Sequence, residues 1–242
     1  MRCGTQLLVF DAGSGIRELG AAYSAPLNGA IFFSHYHYDH VQGLPFFTPL
    51  FDSRNRFAVY GPTRGGQTVQ QILSGHMRQP YFPVTAELAF KAKLEFWPIA
   101  EGQRVDLGGV TVTPVELNHP GGSLGYRVDF EGKSVVYATD IEHGTEADER
   151  LAALAHGADL LIYDAMYTAD EYEGRAGPPK TGWGHSTWQG AVEAANRAGV
   201  KMLALFHHDP TRTDADLARL LRVVRKVRPR TVLARERQPI SL

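Results

Sequence analysis

Cysteine is nearly missing from this chain. Cys3 stands alone, which excludes an internal disulfide and fits a reducing cytosol. No apolar run approaches the roughly 20 residues that span a bilayer, so no membrane-crossing helix is expected. The opening MRCGTQLLVF has one basic residue and a short apolar stretch cut off by Asp11, a poor signal peptide. Neither sign of charge is in excess: 25 lysines and arginines meet 26 acids, for a net charge of −1. That balance gives no general pull toward nucleic acid or acidic membrane. No repeat, low-complexity segment or linker divides the 242 residues. The expectation is one globular domain over residues 1–242, cytoplasmic, with a sizeable core.

What is present is an alternation of short β-rich apolar runs, turns and a few amphipathic stretches. The runs predict strands at 7–10, 30–34, 57–60, 94–99, 110–117, 124–130, 134–138, 159–163, 202–206 and 231–234. The periodic stretches predict helices at 15–23, 67–76, 147–156, 187–198 and 214–226. Ser186-Thr-Trp-Gln189 reads as a capping box ahead of the stripe Ala191, Val192, Ala195, Ala198. Thr213 is placed to cap the last helix, with Leu217, Leu220, Leu221 and Val224 as its buried face. Strand-rich halves with outer helices predict a layered α/β sandwich rather than a bundle. The cations Arg219, Arg222, Arg225, Lys226, Arg228 and Arg230 read as a solvated face and helix C-terminus, with an RNA-binding patch as the rival reading.

The chemistry is concentrated in Ile31-Phe-Phe-Ser-His35-Tyr-His37-Tyr-Asp39-His40. His35 and His37, two apart after a strand, share one side. The chain then turns, so Asp39 and His40 can serve a second position nearby. Imidazole with carboxylate and no thiolate suits zinc first, and manganese, iron or nickel as alternatives. One such motif cannot complete two metal shells. His119, Asp140 and His207, each just after an apolar run, supply further donors where strand ends converge.

His-x-His-x-Asp-His followed by distant His, Asp and His resembles the metallo-β-lactamase superfamily. The resemblance covers the chain from Leu7 to Pro210 and implies a four-layer αββα sandwich. It assigns His35, His37 and His119 to one metal and Asp39, His40 and His207 to the other, with Asp140 bridging. Asp11, in Val9-Phe-Asp-Ala-Gly13, resembles the early aspartate that orients a ligand imidazole. Relatives usually carry a further strand or hairpin before this segment, so a missing first element is expected here. Gly184-His185-Ser186-Thr187 and Val41-Gln-Gly-Leu-Pro-Phe-Phe resemble the phosphodiesterase branch. That branch includes the 3′ tRNA-processing endonuclease and the cyclic-phosphate phosphodiesterase of phosphonate breakdown. Asp164 resembles the acid that pairs there with the histidine matching His185.

This resemblance implies hydrolysis of phosphate esters, above all small, cyclic or nucleotide-type diesters, with phosphotriesters as a further class. A hydroxide held between the two ions is the expected nucleophile, and His185, oriented by Asp164, the expected general acid. Asp39, itself a ligand, completes the catalytic candidates. His185, Arg78 and Trp183 are the substrate-binding candidates, on a pocket wall that includes Arg175, Lys180, Tyr81 and Phe82. His76, His143, His156 and His208 fall outside the pattern, as surface or rim residues. No basic arm for tRNA is visible, so the expected partner is a small phosphate ester rather than long nucleic acid; a homo-oligomer is compatible. Two other readings stay open: a carbonyl ester, lactone or β-lactam hydrolase with the same metal pair, and a non-catalytic nucleotide- or RNA-binding module.

Overall fold

The computed structural model describes residues 1–23 and 26–242. The chain divides into two compact units, Met1–Ala100 and Glu101–Leu242. Each is built on its own sheet.

In the first unit the strands are β1 (Arg2–Cys3), β2 (Gln6–Phe10), β3 (Asn28–Phe32), β4 (Arg56–Gly61) and β5 (Lys93–Pro98), ordered as numbered. β2 to β5 run parallel, and β1 pairs antiparallel with β2. A short hairpin therefore lies where the sequence suggested a missing first element. The helices are α1 (Ile16–Ala21), α2 (Tyr38–Val41), α3 (Val69–His76) and α4 (Ala86–Ala89). Alternation along the strands sends Leu7, Val9, Ile31, Phe57 and Val59 to one face, where they meet Ile16 of α1 and Val69 and Leu73 of α3. Each such side chain contributes about 1.5–3 kcal/mol when fully buried. Thr68 caps α3 in a full capping box with Gln71.

In the second unit the strands are β6 (Val105–Asp106), β7 (Thr111–Leu117), β8 (Ser123–Phe130), β9 (Lys133–Ala138), β10 (Leu160–Asp164), β11 (Met202–Phe206) and β12 (Thr231–Leu233). Their order is β12-β11-β10-β9-β8-β7-β6. The four from β9 to β12 are parallel, and the rest form an antiparallel meander. The helices are α5 (Ala147–Ala155), α6 (Ala169–Tyr172), α7 (Trp188–Arg197) and α8 (Asp214–Val227). Leu151 and Ala155 of α5, Ala191 and Ala195 of α7 and Val224 of α8 share a core with Val136, Leu161, Leu203 and Leu205 of the sheet. The alanine stripe on α7 lets its backbone lie close to the strands. Thr213 caps α8 in a capping box with Asp216, and Leu217, Leu220 and Leu221 lie partly buried beside Val224.

The capping box expected at Ser186–Gln189 is not formed. Ser186 Oγ is instead bonded to His143 Nδ1 at 2.9 Å. The cap moves one residue on: Thr187 is extended and its hydroxyl accepts from Gly190 N at 3.0 Å. Among the described residues no helix is long and apolar enough to cross a membrane.

Candidate metal centre

A parallel sheet delivers the carboxyl ends of its strands to one edge, where loops gather functional side chains. Both units use that edge.

In the first unit, Asp11 follows β2 and the motif Ser34–His40 follows β3. β3 ends at Phe32, two residues short of its expected end, because Ser34 turns to Asp11. Asp11 Oδ1 accepts from Ser34 N at 2.7 Å, and Oδ2 accepts from Ser34 Oγ at 2.8 Å and His40 Nδ1 at 2.9 Å. Since the Ser34 hydroxyl donates to Asp11, its oxygen accepts from His35 Nδ1, 3.0 Å away. Both imidazoles therefore carry their proton on Nδ1 and present Nε2 as the lone-pair nitrogen. The His35 ring centroid lies 4.5 Å from that of His37 and 4.3 Å from that of His40. His40 Nε2 is 3.2 Å from Asp39 Oδ2. Four donors from one motif thus converge, oriented by a serine and an aspartate beneath them.

In the second unit, Asp140 follows β9, Asp164 ends β10, and His207 follows β11. Register holds them level: Asp164 lies opposite Phe206, and Tyr163 opposite Ala138. The two oxygens of Asp140 face different imidazoles, Oδ1 lying 3.3 Å from His207 Nε2 and Oδ2 3.7 Å from His119 Nε2. His119 Nδ1 donates to the Gly184 carbonyl at 2.8 Å, which again leaves Nε2 for a ligand role. His185 Nδ1 donates to Asp164 Oδ2 at 2.8 Å, while Asp164 Oδ1 accepts from Met166 N and Ser186 N. Asp164 is fully buried. The His185 ring stacks on His207 with centroids 5.0 Å apart and planes 15° from parallel. One donor atom from each of Asp140, Asp164, His185 and His207 lies within 4.8 Å of the other three. Imidazole nitrogens and carboxylate oxygens, with no thiolate beside them, are a donor set that fits divalent ions of the zinc type.

The remaining candidates are spread over both units. Arg78 lines a cleft of about 340 Å³ in the first unit with Tyr38, His76 and Tyr81. Trp183 is 54% exposed, and the Lys180 ammonium sits 3.9 Å over its ring. Arg175 is bound to Asp170 and Glu173 of its own loop. Among the C-terminal cations, Arg219 pairs with Asp216, Arg225 donates to the Thr231 carbonyl, and Arg228 binds Asn196 and the Val200 carbonyl. These bonds favour the structural reading of that patch. Burial, with Arg212 next, pushes His208 down to about 4, so it stays neutral at pH 7.

Sequence reasoning missed three supporting residues. Ser34 links Asp11 to His35. Glu142 is buried and accepts from Gly182 N, Gly184 N and Tyr172 OH, pinning the loop that carries His185. His143 joins Ser186, and its ring lies 4.8 Å from that of Tyr172. The signal for Glu142 was its place two residues after Asp140, in the loop that follows β9.

Carboxylates and imidazoles gathered at the carboxyl edges of parallel strands define a metal-binding hydrolase of the metallo-β-lactamase class. The family model described as "Beta-lactamase superfamily domain" matches residues 7–208, and the chain belongs to that family. Among curated proteins it is 29% identical to ribonuclease Z of Thermococcus gammatolerans, over 86% of this chain and 76% of that protein. The metallo-beta-lactamase fold protein YhfI from Bacillus subtilis superposes with a TM-score of 0.73 at 22% identity, over 97% of this chain and 86% of that one. The short form of human tRNase Z gives 0.69 at 22% identity, over 100% of this chain and 90% of its own. The expected fold family is borne out, and so is its phosphodiesterase branch.

Proposed function

We propose that this protein hydrolyses phosphate diesters, small, cyclic or nucleotide-derived, with two divalent ions held by the ligand set its motif order implies, zinc first. The observation that carries the reading is the His185–Asp164 pair beside Asp140 and His207. When bound, such ions lower the pKa of water and neutralise charge on phosphoryl oxygens. The chain's own part begins with Asp11 and Gly184, which fix His40 and His119 with Nε2 free for ligation. Asp164 accepts the Nδ1–H of His185, so in the imidazolium form the second, exchangeable proton sits on Nε2 at the donor cluster. His185 then hands that proton to the leaving oxygen as general acid. It also stands two residues before Thr187, the N-cap of α7, where backbone N–H groups favour a phosphate.

The relatives named ribonuclease Z bring a second reading, cleavage of a longer RNA by the same groups. Near-zero net charge argues for a small substrate, because phosphate tracking needs clustered cations. Turnover of a precursor tRNA beside a small diester at physiological salt separates the two.

The general-acid role is tested with His185→Ala and diesters of graded leaving-group pKa. A positioned acid is worth about 10²–10⁴-fold when the leaving oxygen needs a proton. An alkoxide leaving group should suffer that loss and p-nitrophenolate far less, with metal content unchanged. Equal losses across the series would make His185 a phosphate-binding residue, and metal loss would make it a ligand.

A further inference from the structure

Tyr38 stands between two residues of the metal motif, His37 and Asp39, and its side chain lies outside the core. It is 71% exposed and meets His76 edge-on, with ring centroids 5.7 Å apart and planes at 86°. Both line one cleft of about 340 Å³ together with Arg78 and Tyr81. Tyr81 is 75% exposed. Gln71 closes another side; its Oε1 is taken by Thr68 in the α3 capping box, which turns its amide N–H₂ away from the cap. Among the described residues no carboxylate pairs with Arg78, whereas Arg54, Arg175, Arg197 and Arg219 each have at least one.

Single exposed aromatics are ordinary on protein surfaces. Three rings, one unpaired guanidinium and an amide around one cleft are a different matter. Aromatic faces interleaved with cations are how proteins hold an unpaired base and its phosphate, since every base offers a π-face. A guanidinium adds stacking as well as charge. The cleft's size lies at the small end of ligand sites, suited to one planar group rather than a long chain.

We propose that this cleft is a subsite for the base of a nucleotide ester, with Tyr38, His76 and Tyr81 as its stacking surfaces and Arg78 as its cation. The inference rests on the hydrolase reading above and narrows its substrate to esters that carry a planar aromatic base. A stacked ring is worth about tenfold to a hundredfold in binding one base.

The test uses the metal-loaded protein and two esters that share one leaving group: thymidine 5′-(p-nitrophenyl phosphate) and methyl p-nitrophenyl phosphate. The thymidine ester should be preferred in kcat/KM by tenfold or more. Tyr38→Ala and Tyr81→Ala should each shrink that ratio about tenfold, while Tyr38→Phe keeps it. Saturation-transfer NMR with adenosine 5′-monophosphate should mark the base protons in the wild type and lose them in Tyr81→Ala. A wild-type ratio near one, or a ratio unmoved by both alanine variants, would overturn the subsite while leaving the hydrolase standing. If neither ester turns over, the hydrolase reading falls, and the NMR signal alone decides the subsite. A short single-stranded RNA assayed beside the mononucleotide tells whether the base comes from a free nucleotide or a chain end.

Discussion

Replacing Asp11 by asparagine keeps the shape of a buried side chain and reverses the polarity of half of it. The aspartate is all acceptor: Oδ1 takes Ser34 N–H, and Oδ2 takes Ser34 Oγ–H and His40 Nδ1–H. Asparagine can keep the first bond through its carbonyl, but its N–H₂ then faces Ser34 Oγ and His40 Nδ1. His40 must move its proton to Nε2, and the lone pair meant for a metal disappears. Without metal this tautomer is tolerable, since Nε2 lies 3.2 Å from Asp39 Oδ2 and can donate to it. Asparagine also tolerates the left-handed backbone of Asp11, whose φ is 59°. The cost should therefore appear in metal affinity. Changing a residue that orients a ligand typically weakens metal binding 10–100-fold, about 1.4–2.7 kcal/mol. Asp11→Ala is the contrasting case: it strips three buried donors of their acceptor, at about 1–3 kcal/mol each. A total of about 3 kcal/mol lowers Tm by about 6–12 °C in a chain of this size.

The assay begins with chelator-stripped protein. Thermal melting of the three metal-free forms should put Asp11→Asn within a few degrees of wild type and Asp11→Ala well below both. Competition against a chromophoric chelator then reads the two binding steps. In Asp11→Asn one step should weaken at least tenfold, with the other much less affected. Wild-type affinity at both steps in Asp11→Asn would refute the tautomer argument. A metal-free Asp11→Asn protein that melts as low as Asp11→Ala would show that Asp11 serves the fold rather than the ligand.

Gly184 has φ 84°, and a Cβ there would lie 2.3 Å from His119 Nδ1; Gly184→Ala should displace that imidazole and cost metal as well as activity, read by elemental analysis and circular dichroism, and full metal content would refute it. Glu142→Gln replaces a buried acceptor of three bonds; amide exchange at Gly182 and Gly184 should quicken and kcat fall, whereas unchanged exchange would mean the loop is held by other contacts.

The parallel strands and the long helices were legible because their apolar periods are set by the cores they bury. β11 is found where it was expected, and the apolar stripe of α8 meets its core. The elements that went unseen were too short for a period to register: α2, α4 and α6 are four residues each, and β1 and β6 two. The end of β3 was misplaced because Ser34 has the composition of a strand end and the bonding of a ligand support. The cap of α7 slid from Ser186 to Thr187 for a similar reason: a tertiary partner, His143, claimed the serine first. At the candidate site, residues of metal-ligand type announced themselves by spacing. Glu142 and Ser34 did not, because hydrogen bonds between loops distant in sequence carry no period.

Backbone conformation ties the site to the sheet edges more closely than the motifs do. Asp11, Asp140 and His207 all adopt left-handed φ, at 59°, 53° and 53°. Asp11 and His207 directly follow β2 and β11, and Asp140 comes two residues after the end of β9. An L-residue enters this region at a cost, smaller for Asp and His than for bulky types. Glycine would relieve that cost and remove the functional side chain. A left-handed residue at the end of a strand swings the chain sharply aside and holds its own side chain at the edge, instead of letting it alternate into the next layer. Such strain persists only where surrounding bonds over-determine it. Asp11 has Ser34 and His40, and Asp140 has the Thr139 hydroxyl at 2.7 Å. His207 is held through its strand, where Ala165 N donates to the Phe206 carbonyl. The same three positions carry an orienting carboxylate, a carboxylate facing two imidazoles, and one of those imidazoles. Within each unit, backbone strain at the strand ends thus falls on residues whose chemistry the core does not need.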